Sequence, residues 1–87
     1  MTTNAVISVD IYSRPDCHLC DEAKEVIGRV QHRVPFELRV INVETDPKLE
    51  KEYGEQIPVV FINGSKAFKY HVDEARFEKR VKRLWKT

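Results

Sequence analysis

Residues 6–20, Val-Ile-Ser-Val-Asp-Ile-Tyr-Ser-Arg-Pro-Asp-Cys-His-Leu-Cys, join a short hydrophobic stretch to two closely spaced cysteines. In the hydrophobic stretch Ile7, Val9 and Ile11 occupy alternate positions, and this β-branched, period-two pattern predicts a buried strand. Residues 13–16 then break the pattern, and the spacing of apolar residues becomes helical. A helix is therefore predicted from about residue 17 to residue 33, with an apolar stripe of Leu19, Ala23, Val26, Ile27 and Val30.

Two further elements are predicted before residue 55. Phe36, Leu38 and Val40 alternate with charged residues, which predicts a second strand that continues to about residue 43. Asp46-Pro47 marks the start of a short helix, because aspartate caps free backbone N–H groups and proline lacks one. Gly54 is predicted to end this helix in the left-handed conformation that glycine adopts freely.

Residues 58–85 predict a hairpin followed by a last helix. Asn63-Gly64 separates two apolar stretches, and both residues tolerate the positive φ angles of a two-residue hairpin turn. Asp73 is placed to cap the last helix, with Val72 packing against its first turn. The predicted apolar stripe of this helix consists of Phe77, Val81, Leu84 and Trp85.

The predicted elements follow the order β-α-β-α-β-β-α, an α/β fold within one domain that spans residues 1–87. The first two strands are separated by a helix and should be parallel, whereas the last two form an antiparallel hairpin. A four-stranded mixed sheet flanked by helices on both faces covers the apolar side of each element.

Composition and charge argue against nucleic-acid-binding, membrane-spanning and secreted classes of protein. The formal net charge is +1, so no overall field attracts nucleic acid or an anionic membrane. No apolar run approaches the ~20 residues that cross a bilayer, and residues 1–4 lack the features of a secretory signal, so we expect a cytoplasmic location. Residues 66–87 carry eight basic and three acidic residues, which indicates a solvated helix face or a docking patch for an acidic partner.

The two cysteines are the centre of the functional prediction. In a reducing compartment a closely spaced pair is more often catalytic or metal-binding than structural. Cys17 lies nearest the helix N-terminus, where free N–H groups and the helix dipole favour the thiolate, so we expect a lowered pKa for its thiol. Cys20 lies three residues further on the same face, close enough to resolve a mixed disulfide formed at Cys17.

Three other interpretations of the pair remain open at this point. The two thiols can be buried neighbours without chemistry. They can contribute, with His18 and a distant His32 or His71, to a closed zinc site, although no second closely spaced ligand pair exists. Cys17 can also help to hold an iron–sulfur cluster shared by two subunits.

Two segments carry a resemblance to a known family. The glutaredoxin active-site segment is similar to residues 12–20, Tyr-Ser-Arg-Pro-Asp-Cys-His-Leu-Cys. A second segment typical of that family resembles residues 57–64, Ile-Pro-Val-Val-Phe-Ile-Asn-Gly. The chain thus resembles the glutaredoxin-like branch of the thioredoxin superfamily from residue 6 to residue 85. The resemblance implies Cys17 as attacking thiolate, Cys20 as resolving thiol, Pro58 as a cis-proline facing the dithiol, and Ile57 presenting its backbone to the substrate.

The resemblance has two departures. His18 stands where glutaredoxins usually carry proline after the first cysteine. The Gly-Gly pair and following aspartate that hold glutathione in relatives have no match in residues 67–73, Ala-Phe-Lys-Tyr-His-Val-Asp. Arg14 does occupy the place of a basic residue that contacts glutathione in relatives, and it is the remaining candidate for a contact with substrate. We therefore expect weak dependence on glutathione.

The sequence thus predicts a thiol–disulfide oxidoreductase that acts through Cys17 and Cys20 on disulfides of proteins or small thiols, without a bound organic cofactor. The expected partners are a disulfide-containing protein substrate and, as electron donor, glutathione or a thioredoxin-reductase system. The protein is expected to be a monomer. The alternatives are a thioredoxin-fold binding or accessory module and a subunit-bridging iron–sulfur carrier.

Overall fold

The computed structural model describes residues 6–85; residues 1–4, which enter the signal argument, and Lys86, which enters the charge count, lie outside it. Along the chain the elements are β1 (Ser8–Ser13), α1 (His18–Gln31), β2 (Glu37–Asn42), a 3-10 turn (Val43–Thr45), α2 (Pro47–Tyr53), β3 (Val59–Ile62), β4 (Ser65–Lys69) and α3 (Glu74–Leu84). None of the helices within residues 6–85 has the length and apolar character to cross a membrane.

The four strands form one mixed sheet in the order β2-β1-β3-β4. β1 runs parallel to β2, from Ser8 opposite Glu37 to Ser13 opposite Asn42. β3 is antiparallel to both β1 and β4. The order of elements and the mixed sheet confirm the predicted α/β fold class.

Helices cover both faces of this sheet. The main core lies between one face and helices α1 and α3, and its fully buried side chains include Val9, Ile11, Ile27, Phe77 and Val81. On the opposite face an aromatic cluster joins α2 to the sheet: the Tyr53 ring lies 4.7 Å from that of Tyr12 and 5.8 Å from that of Phe61. Burial, followed by the charge of Glu52, raises the pKa of Tyr53 above its ordinary value, so its phenol stays neutral.

The predicted turns and caps are confirmed except at Gly54. Asn63 and Gly64 have φ values of 49° and 83°, as the hairpin turn requires. Asp46 and Asp73 cap α2 and α3 through their side chains. Gly54, however, is right-handed, with φ −54° and ψ −31°, so the predicted left-handed closure is wrong. A glycine is needed there for space, because a Cβ atom would collide with the Glu50 carbonyl and lie 2.6 Å from the Glu50 Oε2 atom.

The predicted apolar stripe of α3 is wrong at its C-terminal end. Leu84 and Trp85 are 42% and 46% exposed, whereas Phe77 and Val81 are fully buried. Leu84 is the last helical residue, and Trp85 has already left helical geometry with ψ 26°, so neither continues the buried stripe. In β2, Val40 is also exposed, whereas Leu38 packs against the main core.

Outside the core, ion pairs join α3 to α1 and to the turn that follows α1. The Glu74 carboxylate lies 2.9 Å from both the Arg29 and Arg33 guanidinium groups, and Glu78 lies 2.8 Å from Arg33. Hydrogen bonds from Arg29 and then Arg33 lower the pKa of Glu74 below its ordinary value of 4.5. A carboxylate whose pKa is lowered in the folded state stabilises the fold above its unfolded pKa, and this stabilisation is lost as the pH falls.

We therefore expect Glu74→Gln to reduce the urea midpoint of unfolding at neutral pH but not at a pH well below 4.5. At acidic pH the wild-type carboxyl is protonated and no longer differs in charge from the amide. Urea titrations of both proteins at the two pH values measure this. Glu44→Gln is the matched control, since Glu44 is exposed and has no ion pair within the described chain. An equal difference at both pH values would contradict the prediction.

Candidate functional site

The dithiol lies at the N-terminus of α1 and is present as a disulfide between Cys17 and Cys20, whose Cα atoms are 5.2 Å apart. Cys17 is the N-cap residue, with extended backbone geometry, and its Sγ atom accepts a hydrogen bond of 3.2 Å from the Cys20 N–H group. Cys17 is half-buried, whereas Cys20 is fully buried. The two sulfurs therefore differ in access: an external group can reach Cys17, and Cys20 faces the interior.

The chain reaches Cys17 through a sharp local turn. Ser13, the last residue of β1, is buried, and Asp16 has φ 59° in the left-handed region. Aspartate is among the few residues that adopt this conformation at modest cost. The turn lets Cys17 return to extended geometry and cap the helix, so a free N–H group of the first turn points at its sulfur.

The segment before β3 lies at the same end of the sheet as the dithiol. Val59 pairs with Tyr12, so the start of β3 runs beside the end of β1, which leads to the cysteines. The Ile57–Pro58 peptide bond is cis, and Pro58 is buried. The fold thus places Pro58 at the end of the sheet from which β1 leads to Cys17 and Cys20.

The partly exposed Arg14 side chain is hydrogen-bonded to other residues of the protein. Its Nη2 atom donates hydrogen bonds to Glu50 Oε2 at 2.7 Å and to the Gly54 carbonyl at 3.0 Å, and so joins the loop before Cys17 to α2. Its Nε atom is buried without a hydrogen-bond partner in the described chain. The substrate contact implied for Arg14 stays a prediction, but the two bonds direct its guanidinium toward α2.

A shallow groove of about 80 Å³ lies between the side of α1 that carries Leu19 and Ala23 and residues 70–72. Tyr70 forms part of its wall with φ 68°, and its N–H group donates to the Pro58 carbonyl at 2.8 Å. The Tyr70 hydroxyl donates to the Glu55 carbonyl at 3.3 Å. Sequence reasoning did not place Tyr70 beside Pro58, because a tyrosine carries no local signal for the left-handed conformation that it adopts here.

The zinc site considered from the sequence requires histidine side chains close to the two cysteines. The His18 side chain is largely exposed, and its Nε2 atom lies 2.8 Å from Glu22 Oε2. Within residues 6–85 no three His, Cys, Asp or Glu side chains are grouped so that they could hold a metal ion. The four-ligand zinc set considered from the sequence is therefore not brought together in this part of the chain.

The amino-acid sequence of the chain is similar to those of several known proteins. The chain is 26% identical over 80 residues to an uncharacterized protein of Mycobacterium tuberculosis, which covers 86% of this chain and 82% of that protein. It is 32% identical over 65 residues to a thioredoxin of Methanocaldococcus jannaschii, which covers 71% and 76%.

Solved structures show the same architecture. A protein of Nitrosomonas europaea superposes with a TM-score of 0.78 at 25% identity, covering 93% of this chain and 98% of that one. A mutant thioredoxin from Halobacterium salinarum, at 16% identity and a TM-score of 0.67, shares the fold over 93% of this chain and 76% of that one. The family model of the glutaredoxin-like domain (DUF836) matches residues 8–82. The chain therefore belongs to this glutaredoxin-like family of the thioredoxin superfamily.

Proposed function

We propose that the protein is a thiol–disulfide oxidoreductase in which Cys17 is the attacking thiolate and Cys20 the resolving thiol. The thioredoxin-like fold with a Cys-x-x-Cys pair supports a redox function in general. The observation that carries the specific assignment is the unequal setting of the two sulfurs. Cys17 caps the helix, accepts a hydrogen bond from the Cys20 N–H group and is accessible, while Cys20 is fully buried.

The first step is attack on the target disulfide. The Cys17 thiolate displaces one sulfur of the target, so the target S–S bond breaks as a new Cys17–target bond forms. The displaced sulfur leaves as a thiolate and takes a proton from solvent. In the reduced protein, the hydrogen bond and helix N-terminus that face the Cys17 sulfur stabilise its negative charge and so increase the reactive fraction.

The second step releases the product and oxidises the protein. The Cys20 thiolate attacks the Cys17 sulfur of the mixed disulfide, forms the Cys17–Cys20 disulfide and expels the remaining target sulfur as a thiolate, which is then protonated. Two electrons have passed from the dithiol to the target. An external dithiol reductant, of the kind that a thioredoxin-reductase system supplies, then restores the reduced pair.

A protein segment is the substrate class that the surroundings of the dithiol favour. Ile57 is half-exposed, and its backbone N–H and carbonyl groups have no backbone hydrogen-bond partner within the described chain. An extended segment beside a target cysteine can pair with such free groups, as strands added to a sheet do. The backbone at Ile57 would hold the segment, and the adjacent groove at Tyr70 would take a neighbouring side chain.

Glutathione is expected to be a poor substrate in comparison. A small flexible tripeptide depends on several placed polar contacts, each worth about tenfold in affinity. Phe68 and Lys69 stand where the resemblance places the glycines of relatives. The N–H and hydroxyl groups of the next residue, Tyr70, are already bonded to Pro58 and Glu55. Arg14 is occupied by Glu50 and Gly54. We expect kcat/KM for a small glutathione mixed disulfide to lie at least about tenfold below that for a protein disulfide.

Parallel assays test both the function and this preference. The reduced protein is given insulin disulfide with a thioredoxin-reductase-linked reductant, and separately a glutathione mixed disulfide of a small thiol. Arg14→Gln is included, and its relative preference between the two substrates should match that of wild type. Saturable turnover of the glutathione compound at micromolar concentration would contradict the preference. Turnover of neither substrate would overturn the proposed function and favour the binding-module alternative.

A further inference from the structure

Charges on α3 are segregated between two sides of the helix. Its acidic residues Glu74 and Glu78 face α1 and the turn after it, where they pair with Arg29 and Arg33. The other side of the helix borders β4 and carries four basic residues, Arg76, Lys79, Arg80 and Arg83. Within residues 6–85 no carboxylate comes within ion-pair distance of these four side chains. Their positive charge is therefore not neutralised by the described part of the chain.

These four side chains surround an open groove of about 370 Å³ whose floor is formed by Ala67 and Phe68 of β4. A bulge in β4 produces this floor. Phe61 pairs with Lys66 and Val60 with Phe68, which leaves Ala67 as an extra residue in the strand. Ala67 and Phe68 consequently both pack against the main core beneath α3, although neighbouring residues in a regular strand point to opposite faces. The groove thus has an apolar floor and a basic rim.

Beside the groove lies the outer edge of β4, with which no strand within residues 6–85 pairs. β4 is the last strand in the order β2-β1-β3-β4, and it pairs with β3 on its inner side. Its outward backbone N–H and carbonyl groups are therefore available to a further strand. Alternate side chains of an added strand would lie about 6.6–6.8 Å apart on one face. Residues four apart on a helix rise by about 6 Å, so the pairs Arg76/Arg80 and Lys79/Arg83 repeat at a similar spacing.

We propose that this basic groove binds an extended acidic segment of a partner protein, which adds to β4 and places alternate carboxylates against the rim of α3. The surface is separate from the dithiol: the groove lies along β4 and the side of α3 that carries Arg76 to Arg83, and the cysteines lie at the start of α1. Carboxylates compensate the four positive charges, and the strand edge supplies direction and register.

Two other anionic partners fit the groove less well. A membrane surface requires an apolar helix face that can enter the lipid. Phe77 and Val81 of α3 are fully buried, and the exposed Leu84 and Trp85 lie at the end of the helix, outside the lining of the groove. Single-stranded nucleic acid requires exposed rings on which bases stack, whereas Phe68, the aromatic residue of the groove, is packed against the core. A polypeptide uses what the groove offers, namely backbone groups and cations.

Binding of a fluorescein-labelled peptide of alternating glutamate and valine tests the proposal. The protein is kept in its disulfide form, so the result does not depend on redox activity. We expect Arg80→Gln combined with Arg83→Gln to weaken binding about tenfold, because two exposed ion pairs are removed. The control combines Lys48→Gln with Lys51→Gln, which removes the same charge from exposed positions on α2 and should leave affinity nearly unchanged.

Amide NMR shifts locate the peptide on the protein. Addition of the peptide should shift the backbone amides of β4, because the added strand bonds to that edge. Several results would overturn the proposal: equal weakening by the α2 control, equal binding of a lysine–valine peptide, or shifts that spare residues 65–69. Tighter binding of oligothymidylate through Arg80 and Arg83 would assign the groove to nucleic acid instead.

Discussion

Cys17→Ser is expected to reduce the rate of disulfide reduction by more than about a thousandfold, because it removes the nucleophile. Cys20→Ser is expected to stop the reaction one step later, at a stable mixed disulfide between Cys17 and the target. The two variants thus fail in different ways, although each removes one sulfur from the same pair. Their difference follows from the accessible N-cap position of Cys17 and the full burial of Cys20.

The Cys17→Ser variant is expected to keep the fold of the wild-type protein. Serine is a good N-cap residue, and its hydroxyl can accept the hydrogen bond that the Cys20 N–H group donates to sulfur. Loss of activity in this variant therefore reports lost chemistry, and an unchanged urea midpoint relative to reduced wild type checks this. Mass spectrometry without reductant, on each variant mixed with a target disulfide, identifies the trapped species. A mixed disulfide at Cys20 of the Cys17→Ser variant would reverse the proposed roles.

Where local chemistry determines a feature, the sequence was sufficient to predict it. Asn63-Gly64 adopts positive φ values because both residues tolerate them, and Asp46 and Asp73 cap their helices with their own side chains. Gly54 shows the limit of this reasoning. Its glycine accommodates the Glu50 carbonyl and a guanidinium from Arg14, which lies 40 residues earlier in the chain. No local pattern distinguishes that need from a left-handed helix end.

Some features of the candidate site can likewise be predicted from local sequence, and others depend on tertiary packing. The spacing of Cys17 and Cys20 and the Ile57-Pro58 pair are visible in the sequence, and the fold brings them to one end of the sheet. The wall at Tyr70 depends on a bond to Pro58 and an unusual backbone conformation. The basic groove depends on a bulge in β4 and on which side of α3 faces α1. Charge counting located its residues, and tertiary packing decided which of them are unpaired.

Burial along α3 provides the clearest contrast between pattern and structure. The helical spacing places Phe77 and Trp85 on one predicted apolar stripe, yet Phe77 is fully buried and Trp85 is 46% exposed. Phe77 meets Phe36 edge-to-face with ring centroids 5.6 Å apart and lies 6.2 Å from the ring of Phe68. Its side chain therefore links α3 to both edge regions of the sheet, whereas Trp85 lies past the end of the helix.

We expect Phe77→Ala to lower the free energy of unfolding by about 3–5 kcal/mol, through lost apolar burial and the cavity that remains. Trp85→Ala should cost less than about 1 kcal/mol although it removes a larger side chain, because much of the indole is already in water. Urea unfolding followed by far-UV circular dichroism measures both, since this signal does not depend on the tryptophan. If Phe77→Ala proves too unstable to fold, Phe77→Leu keeps much of the volume and should still cost more than Trp85→Ala. Equal losses for Phe77→Leu and Trp85→Ala would mean that the last turn of α3 is packed as the helical pattern predicts, and that the exposure of Trp85 is wrong.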